Sequence, residues 1–442
     1  MMPRSENLVL GINIGTTMAR QVVAGGLSLF LSIFLARSLG TQGNGIYNLA
    51  LLLPVLLGQL FNLGIGPANV YHIAKNEISL KGVVRITMNL WGILSVIGLG
   101  VGAILIFVFR VELFPDISHS ILMIGLAIYP IILGQLLSVS ILQGLQDFKH
   151  FNFVLILNPL LTLILAVVFI SFLADQPILA LVAFGASQLI VVILSWIHIS
   201  QHFKWHSAPA TLNRSDYKKT IAFGWKSHLA NLMSFLNYRI DLLLLNILID
   251  VSAAGVYIIA VNLLEKLWLL SQAVSTILYP KLASLHENEE KRRLLTLFIT
   301  KVSFVLTFIG ALLVALVASP AIRILYGMDF MGAVSALFLL LPGIIAGSVA
   351  RILSNDISAR GRPELNMYVG LASVIVNILA NLILIPLFGI NGAAVATSIS
   401  YGLNAILKLI IYRRFSGARI FAPVLFGRQD MKRLVRIITE KL

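Results

Sequence analysis

The chain has 442 residues, of which 58% are hydrophobic and only 12% charged, with a mean hydropathy of +0.94. A water-soluble domain of this size does not carry so apolar a surface, so the composition describes a protein that crosses a membrane repeatedly. The net charge of +15 is scattered through short loops rather than gathered in a patch for nucleic acid, and the absence of cysteine excludes disulfides and thiolate metal sites.

A bilayer core about 30 Å thick needs about 20 helical residues per crossing. Apolar segments of that kind lie at 8–36, 45–74, 84–109, 118–145, 151–173 and 177–201. Six more follow at 219–249, 253–282, 298–322, 332–356, 364–387 and 391–413. The sequence predicts an all-α, polytopic membrane protein of about 12 transmembrane helices in two six-helix lobes around a central cavity. A membrane barrel would alternate apolar and polar residues over segments of about ten, and these segments do not. The first segment is too long for a signal-peptide core and carries Arg20, so it is read as a mature helix.

The expected lobes are 1–202 and 219–414, joined by a cytoplasmic linker at 203–218 that contains Pro209. Residues 415–442 mix Arg428, Lys432, Arg433 and Arg436 with Leu434, Val435 and Ile437, a spacing that suits a basic amphipathic tail on an anionic leaflet. Lysine and arginine crowd one set of loops (Lys75, Lys81, Arg85, Lys149, Lys218, Lys219, Arg292, Arg293, Arg360, Arg362), and the opposite set holds Arg37, Arg110 and Arg323. By the positive-inside rule both termini are expected in the cytoplasm.

The two halves repeat each other. Gly45-Ile-Tyr-Asn-Leu-Ala50 matches Gly255-Val-Tyr-Ile-Ile-Ala260 at an offset of 210, and Pro130 matches Pro342 at 212. Six helices separate the copies, so both have the same orientation, and a cavity is expected between the lobes.

Arg20, Arg239 and Lys266 stand deep in apolar segments, where an uncompensated charge costs roughly 3 kcal/mol. Lys226, Arg351 and Lys408 lie nearer one face, within reach of water by snorkelling. Only Asp241 and Glu265 oppose them at similar depth, and Asp241 points away from Arg239 because residues two apart do not share a helix face. Cross-helix ion pairs remain uncountable at this stage. Asn13, Thr16, Thr17 and Arg20 share one face of the first helix; Asn48, Gln59, Asn62 and Asn69 form a stripe on the second; His228, Asn231, Arg239 and Asn246 form one on the seventh. Such residues either line an aqueous interior or join neighbouring helices. The candidate substrate-binding residues are Arg20, Arg239, Asn13, Thr17, Asn62, His228, Asn231, Lys266 and Arg351, a set whose surplus of cations suits an anion. No Walker loop, zincin motif or paired glycosidase carboxylates are present, so the chain is read as a non-enzyme without cofactor or metal.

Leu35-Ala-Arg-Ser-Leu-Gly40 followed by Gly43, Gly45 and Tyr47, the Gly255/Tyr257/Ala260 block, Tyr279-Pro280, and Asn377 to Pro386 running into Gly389-Ile-Asn-Gly392 together resemble the polysaccharide-biosynthesis and O-antigen flippases of the multidrug/oligosaccharidyl-lipid/polysaccharide exporter superfamily. The resemblance covers essentially the whole chain. It implies a flippase that moves a polyprenyl-diphosphate-linked oligosaccharide across a bacterial cytoplasmic membrane by alternating access. It also implies cationic cavity residues, for which Arg20 and Arg239 are the best-placed counterparts. The energy source stays open between a proton and a sodium gradient. Three alternatives remain: a cation-coupled multidrug exporter, which would favour buried carboxylates; a membrane polymerase or ligase, which would need a large external loop; and a non-transporting scaffold.

Overall fold

In the computed structural model, the described residues are 4–173, 176–202, 213–269, 271, 272, 278, 282 and 288–417, with backbone alone at 4–14, 226 and 227. Among them the chain is helical throughout, with no strand. The helices are α1 (Arg4–Phe61), α2 (Ile65–Lys75), α3 (Leu80–Leu113), α4 (His119–Gly144), α5 (Phe148–Phe172) and α6 (Pro177–Ser200). The second half supplies α7 (Arg214–Leu248), α8 (Val251–Glu265), α9 (Glu289–Leu325), α10 (Gly332–Ala359), α11 (Pro363–Phe388) and α12 (Ile390–Ser416). Two short 3₁₀ turns, Lys266–Trp268 and Met328–Phe330, extend α8 and link α9 to α10.

Ten of the described helical segments are long and apolar enough to span a bilayer. The first of these serves for two crossings. At 58 residues α1 would be about 87 Å long as a straight rod, nearly three bilayer cores, but Gly40 interrupts it with φ 67° and ψ −173°. Helix α7 is too polar to meet the same criterion, yet its 35 residues run the length of the bundle. Twelve crossings result, as the sequence predicts. Several helices exceed their predicted spans because the helix continues past the first charged residue into the aqueous layer: α9 starts at Glu289 rather than 298, and α3 runs 80–113 rather than 84–109. Helix α7 likewise begins at Arg214, inside the expected linker. Linker residues 203–212 and tail residues 418–442 lie outside the described residues.

The apolar residues divide by address. Tyr129, Tyr257, Leu49 and Leu133 are fully enclosed, whereas Phe107, Phe172 and Leu316 point outward, as a lipid-facing surface requires. Helices α1 and α3–α6 pack among themselves, and α7–α12 do the same. The halves meet mainly where α1 crosses α8 and α2 crosses α7.

The first crossing explains the repeated glycines. A methyl group on Gly45 would run into the Val251 carbonyl, and one on Gly255 would run into the Thr41 carbonyl. Each contact maps onto the other by the 210-residue offset, so the two copies of the motif bind each other reciprocally, as in a two-fold dimer. The Asn44 side chain donates to the Gly255 carbonyl at 2.8 Å. At the same end, Asn246 donates to the Leu113 carbonyl (3.0 Å), Val251 N–H to Asp116 (3.3 Å), and Arg37 to the carbonyls of Ile324 and Leu325. The bundle is shut there. We call this the Gly40 end; the other, with the turns at 76–79, 145–147 and 360–362, is the basic end.

Candidate functional site: a cation-lined cavity

A cavity of about 730 Å³ lies among α7, α8, α10, α11 and α12, and Gln21 of α1 is the sole lining residue from the first half. Its lining reaches Ser358, Pro363 and Asn366 beside the α10–α11 turn, so it extends to the basic end. The other extreme is an aromatic floor. Tyr238, Trp268 and Tyr401 hold pairwise ring separations of 5.5, 5.5 and 5.6 Å, and the Trp268 indole N–H is tied to the Ile344 carbonyl at 2.8 Å.

Two cations enter this space. Arg351 of α10 lies over the Trp268 ring, 4.8 Å from its centroid, and Lys408 of α12 is buried at 8% exposure. Each sits about 27–28 Å along its helix from the Gly40 end, so they share a depth. No carboxylate lines the cavity, and none pairs with either cation among the described residues. The Arg351 Nε is buried without a hydrogen-bond partner there. Around the pair stand amide and hydroxyl groups from Asn231, Ser234, Asn237, Asn355, Asn366 and Asn404. Chemically, the cavity offers two positive charges, a stacking surface and many neutral hydrogen-bonding groups. That combination suits an anionic head carrying hydroxyls.

The predicted residues divide accordingly. Arg351 and Asn231 line the cavity. Arg239 does not: its Nη1 and Nη2 donate to Oε1 and Oε2 of Glu265, both at 2.9 Å. That fork-to-fork pair spans α7 and α8 and compensates the charge, which corrects the reading of Arg239 as a free anion ligand. Lys266, the next residue, is half-buried and outside the lining, as Glu265 draws both cations to itself. His228 is buried against the Leu60 backbone, and Asn62 accepts from Gly66 N–H at 3.4 Å where the chain breaks between α1 and α2. Thr17 receives a hydrogen bond from Asn152 at 3.4 Å, joining α1 to α5. These three act as helix joints. Arg20 is half-buried with its guanidinium 5.8 Å from the Phe151 ring, facing α5 rather than the cavity, although the adjacent Gln21 does line it. The Asn13 side chain lies outside the described residues, as does that of Lys226.

Below the floor, Asp241 is fully buried and receives three hydrogen bonds: from Tyr257 OH at 2.7 Å, Thr397 OH at 3.0 Å and Leu242 N–H at 2.9 Å.

The paired state of Arg239 has a measurable signature. Glu265→Ala should cost about 3–5 kcal/mol, because it strands a buried guanidinium, whereas Arg239→Met with Glu265→Leu should be close to neutral. Thermal melting of the purified protein separates the two outcomes.

Comparison with known proteins agrees with this geometry. A family model described as polysaccharide biosynthesis protein matches residues 10–286. A probable low-salt glycan biosynthesis flippase, Agl15 of Haloferax volcanii, is 29% identical over 49% of this chain, and the match spans 46% of that relative's length. A putative O-antigen transporter of Shigella flexneri is 22% identical over 86% of this chain and 92% of its own. Among solved structures, an inward-facing multidrug-resistance MATE transporter superposes with a TM-score of 0.73 at 17% identity, covering 90% of this chain and 98% of that one. The lipid II flippase MurJ in an inward closed conformation gives 0.71 at 15% identity, covering 91% and 87%. At such identities the two structures establish the shared fold alone. With the family model matching well over half its length, this multi-pass membrane chain belongs to the polysaccharide biosynthesis protein family.

Proposed function

We propose that the protein is a flippase for a polyprenyl-diphosphate-linked oligosaccharide, taken up at the basic end and released at the Gly40 end. The observation that carries this reading is the pair of uncompensated cations, Arg351 and Lys408, in a cavity without carboxylates. A diphosphate is a compact multiple anion that both can grip in a low-dielectric space, one by a guanidinium fork and one as a point charge. The asparagines and serines solvate sugar hydroxyls, and the prenyl chain stays in lipid. The relatives named as a glycan flippase and an O-antigen transporter support this substrate class. The fold shared with the lipid II flippase is consistent with it.

On this reading the basic end faces the cytoplasm, both termini lie there, and the membrane is the bacterial cytoplasmic one. Residues 1–202 and 219–414 are the two rocking bodies, with 203–218 between them. Alternating access requires the reciprocal Gly45–Gly255 crossing to part while the basic end closes. A coupling proton or sodium ion has a natural seat at Asp241, whose carboxylate already gathers two hydroxyls from α8 and α12. Such transport breaks no bond.

The test is reconstitution of the purified chain in liposomes bearing a fluorescent polyprenyl-diphosphate glycan, with transfer read by leaflet-selective quenching. Protein-dependent transfer of the glycolipid, without transport of lipophilic cationic drugs, is expected. Drug transport with no glycolipid transfer would overturn the proposal in favour of a multidrug exporter.

A further inference from the structure

At the basic end of the first half, three of the chain's eight histidines crowd one carboxylate. Asp147 closes the α4–α5 turn and caps α5, its Oδ1 accepting the His150 backbone N–H at 3.1 Å. Its Oδ2 lies 2.8 Å from His150 Nδ1 and 2.7 Å from His198 Nε2. The His150 and His198 rings stack with centroids 3.4 Å apart and 22° between planes. His202 meets His198 edge-on at 4.9 Å, with Nδ1 3.1 Å from the His198 carbonyl. One ligand atom from each of Asp147, His198 and His202 lies within 4.8 Å of the other two. None of these residues lines the cavity, so glycolipid transport leaves the cluster unused.

Capping α5 needs Asp147 alone, and neutralising it needs one imidazole. Each further ring adds ordering entropy and, when protonated, repels its neighbours. Two imidazole nitrogens and a carboxylate oxygen are instead a donor set that a borderline transition ion takes, at about 2.0–2.2 Å from the metal. Ligands on a tetrahedral ion stand about 3.4 Å apart, so the Asp147–His198 contact needs to open by roughly 0.7 Å, the scale of a small ring rotation. His202 is exposed and free to turn its ring inward. We propose that Asp147, His198 and His202 form a binding site for a zinc-class divalent ion, with the fourth position taken by water or His150. Mg²⁺ does not suit the site, since it demands octahedral oxygen coordination. The ion joins the α4–α5 turn to the residue after α6, where the chain leaves the first lobe for the second, and so stiffens that exit.

The experiment uses the full chain carrying a histidine-free purification tag, stripped with chelator and titrated in nanodiscs with Co²⁺ and then Zn²⁺. One Co²⁺ per chain is expected, with visible absorption bands that Zn²⁺ abolishes and Mg²⁺ leaves intact. Asp147→Asn, His198→Ala and His202→Ala should each weaken Co²⁺ binding by about tenfold or more. Because His202 is exposed, His202→Ala should keep the wild-type melting point without metal while losing the rise that Zn²⁺ gives the wild type. Absence of saturable Co²⁺ binding, displacement by Mg²⁺, or unchanged binding in His202→Ala would overturn the proposal.

Discussion

Arg351→Ala combined with Lys408→Ala is expected to abolish glycolipid transfer while the protein still inserts and folds. Hydrogen bonds to charged groups contribute about 2 kcal/mol each, so losing both contacts removes about 4 kcal/mol of head-group affinity, roughly a thousandfold. Neither substitution strands a partner charge, because no carboxylate among the described residues relies on these cations, so the melting temperature should hold or rise. Arg351→Lys separates charge from shape. It keeps the positive charge but loses the planar fork over Trp268, and an intermediate transfer rate is expected. The Arg239→Met/Glu265→Leu protein is the control, with its buried pair replaced away from the cavity. Full transfer by the Arg351/Lys408 double variant would remove the basis of the proposed mechanism.

Gly45→Leu should produce the second large effect, through conformation rather than charge. Its side chain would meet the Val251 carbonyl, so α1 and α8 cannot keep their present approach. The closed Gly40 end is the state penalised, by about 1–3 kcal/mol or more for an overpacked contact. A shift of that size moves the balance between closed and open forms about five- to 150-fold. The cysteine-free chain makes this readable. A single Asn246→Cys probe, at a position now buried beside Leu113, should react slowly with a membrane-impermeant maleimide and much faster once Gly45→Leu is added. Equal labelling of the two proteins would mean that the repeated glycines do not govern this closure.

The twelve crossings were legible because apolar length dictates them, and the repeat was legible because its glycines meet each other. What those glycines do was not, since a close approach of two backbones leaves no trace beyond the missing side chain. The site was half legible. Arg351 stood among the candidates, but Lys408 at similar depth was read as a snorkelling residue. Hydropathy locates a residue along the membrane normal, and it does not say whether the facing neighbour is lipid, helix or cavity. Arg239 failed for a related reason: its partner Glu265 lies 26 residues away on the next helix, and such pairing is set by packing. The asparagine stripes also mixed two roles. Asn69 bonds Ser140 and Thr87 between helices, whereas Asn231 lines the cavity. A helix face records polarity but not its purpose.

Gln21 alone brings the first half of the chain to the cavity wall, although the two halves descend from one ancestral unit. The twins have therefore specialised: the later copy cradles the cargo, and the earlier one acts as its moving counterweight. Changes of sugar preference should accordingly collect in α7 and α10–α12. An exchange of those helices between relatives should transplant selectivity and leave the rocking machinery untouched.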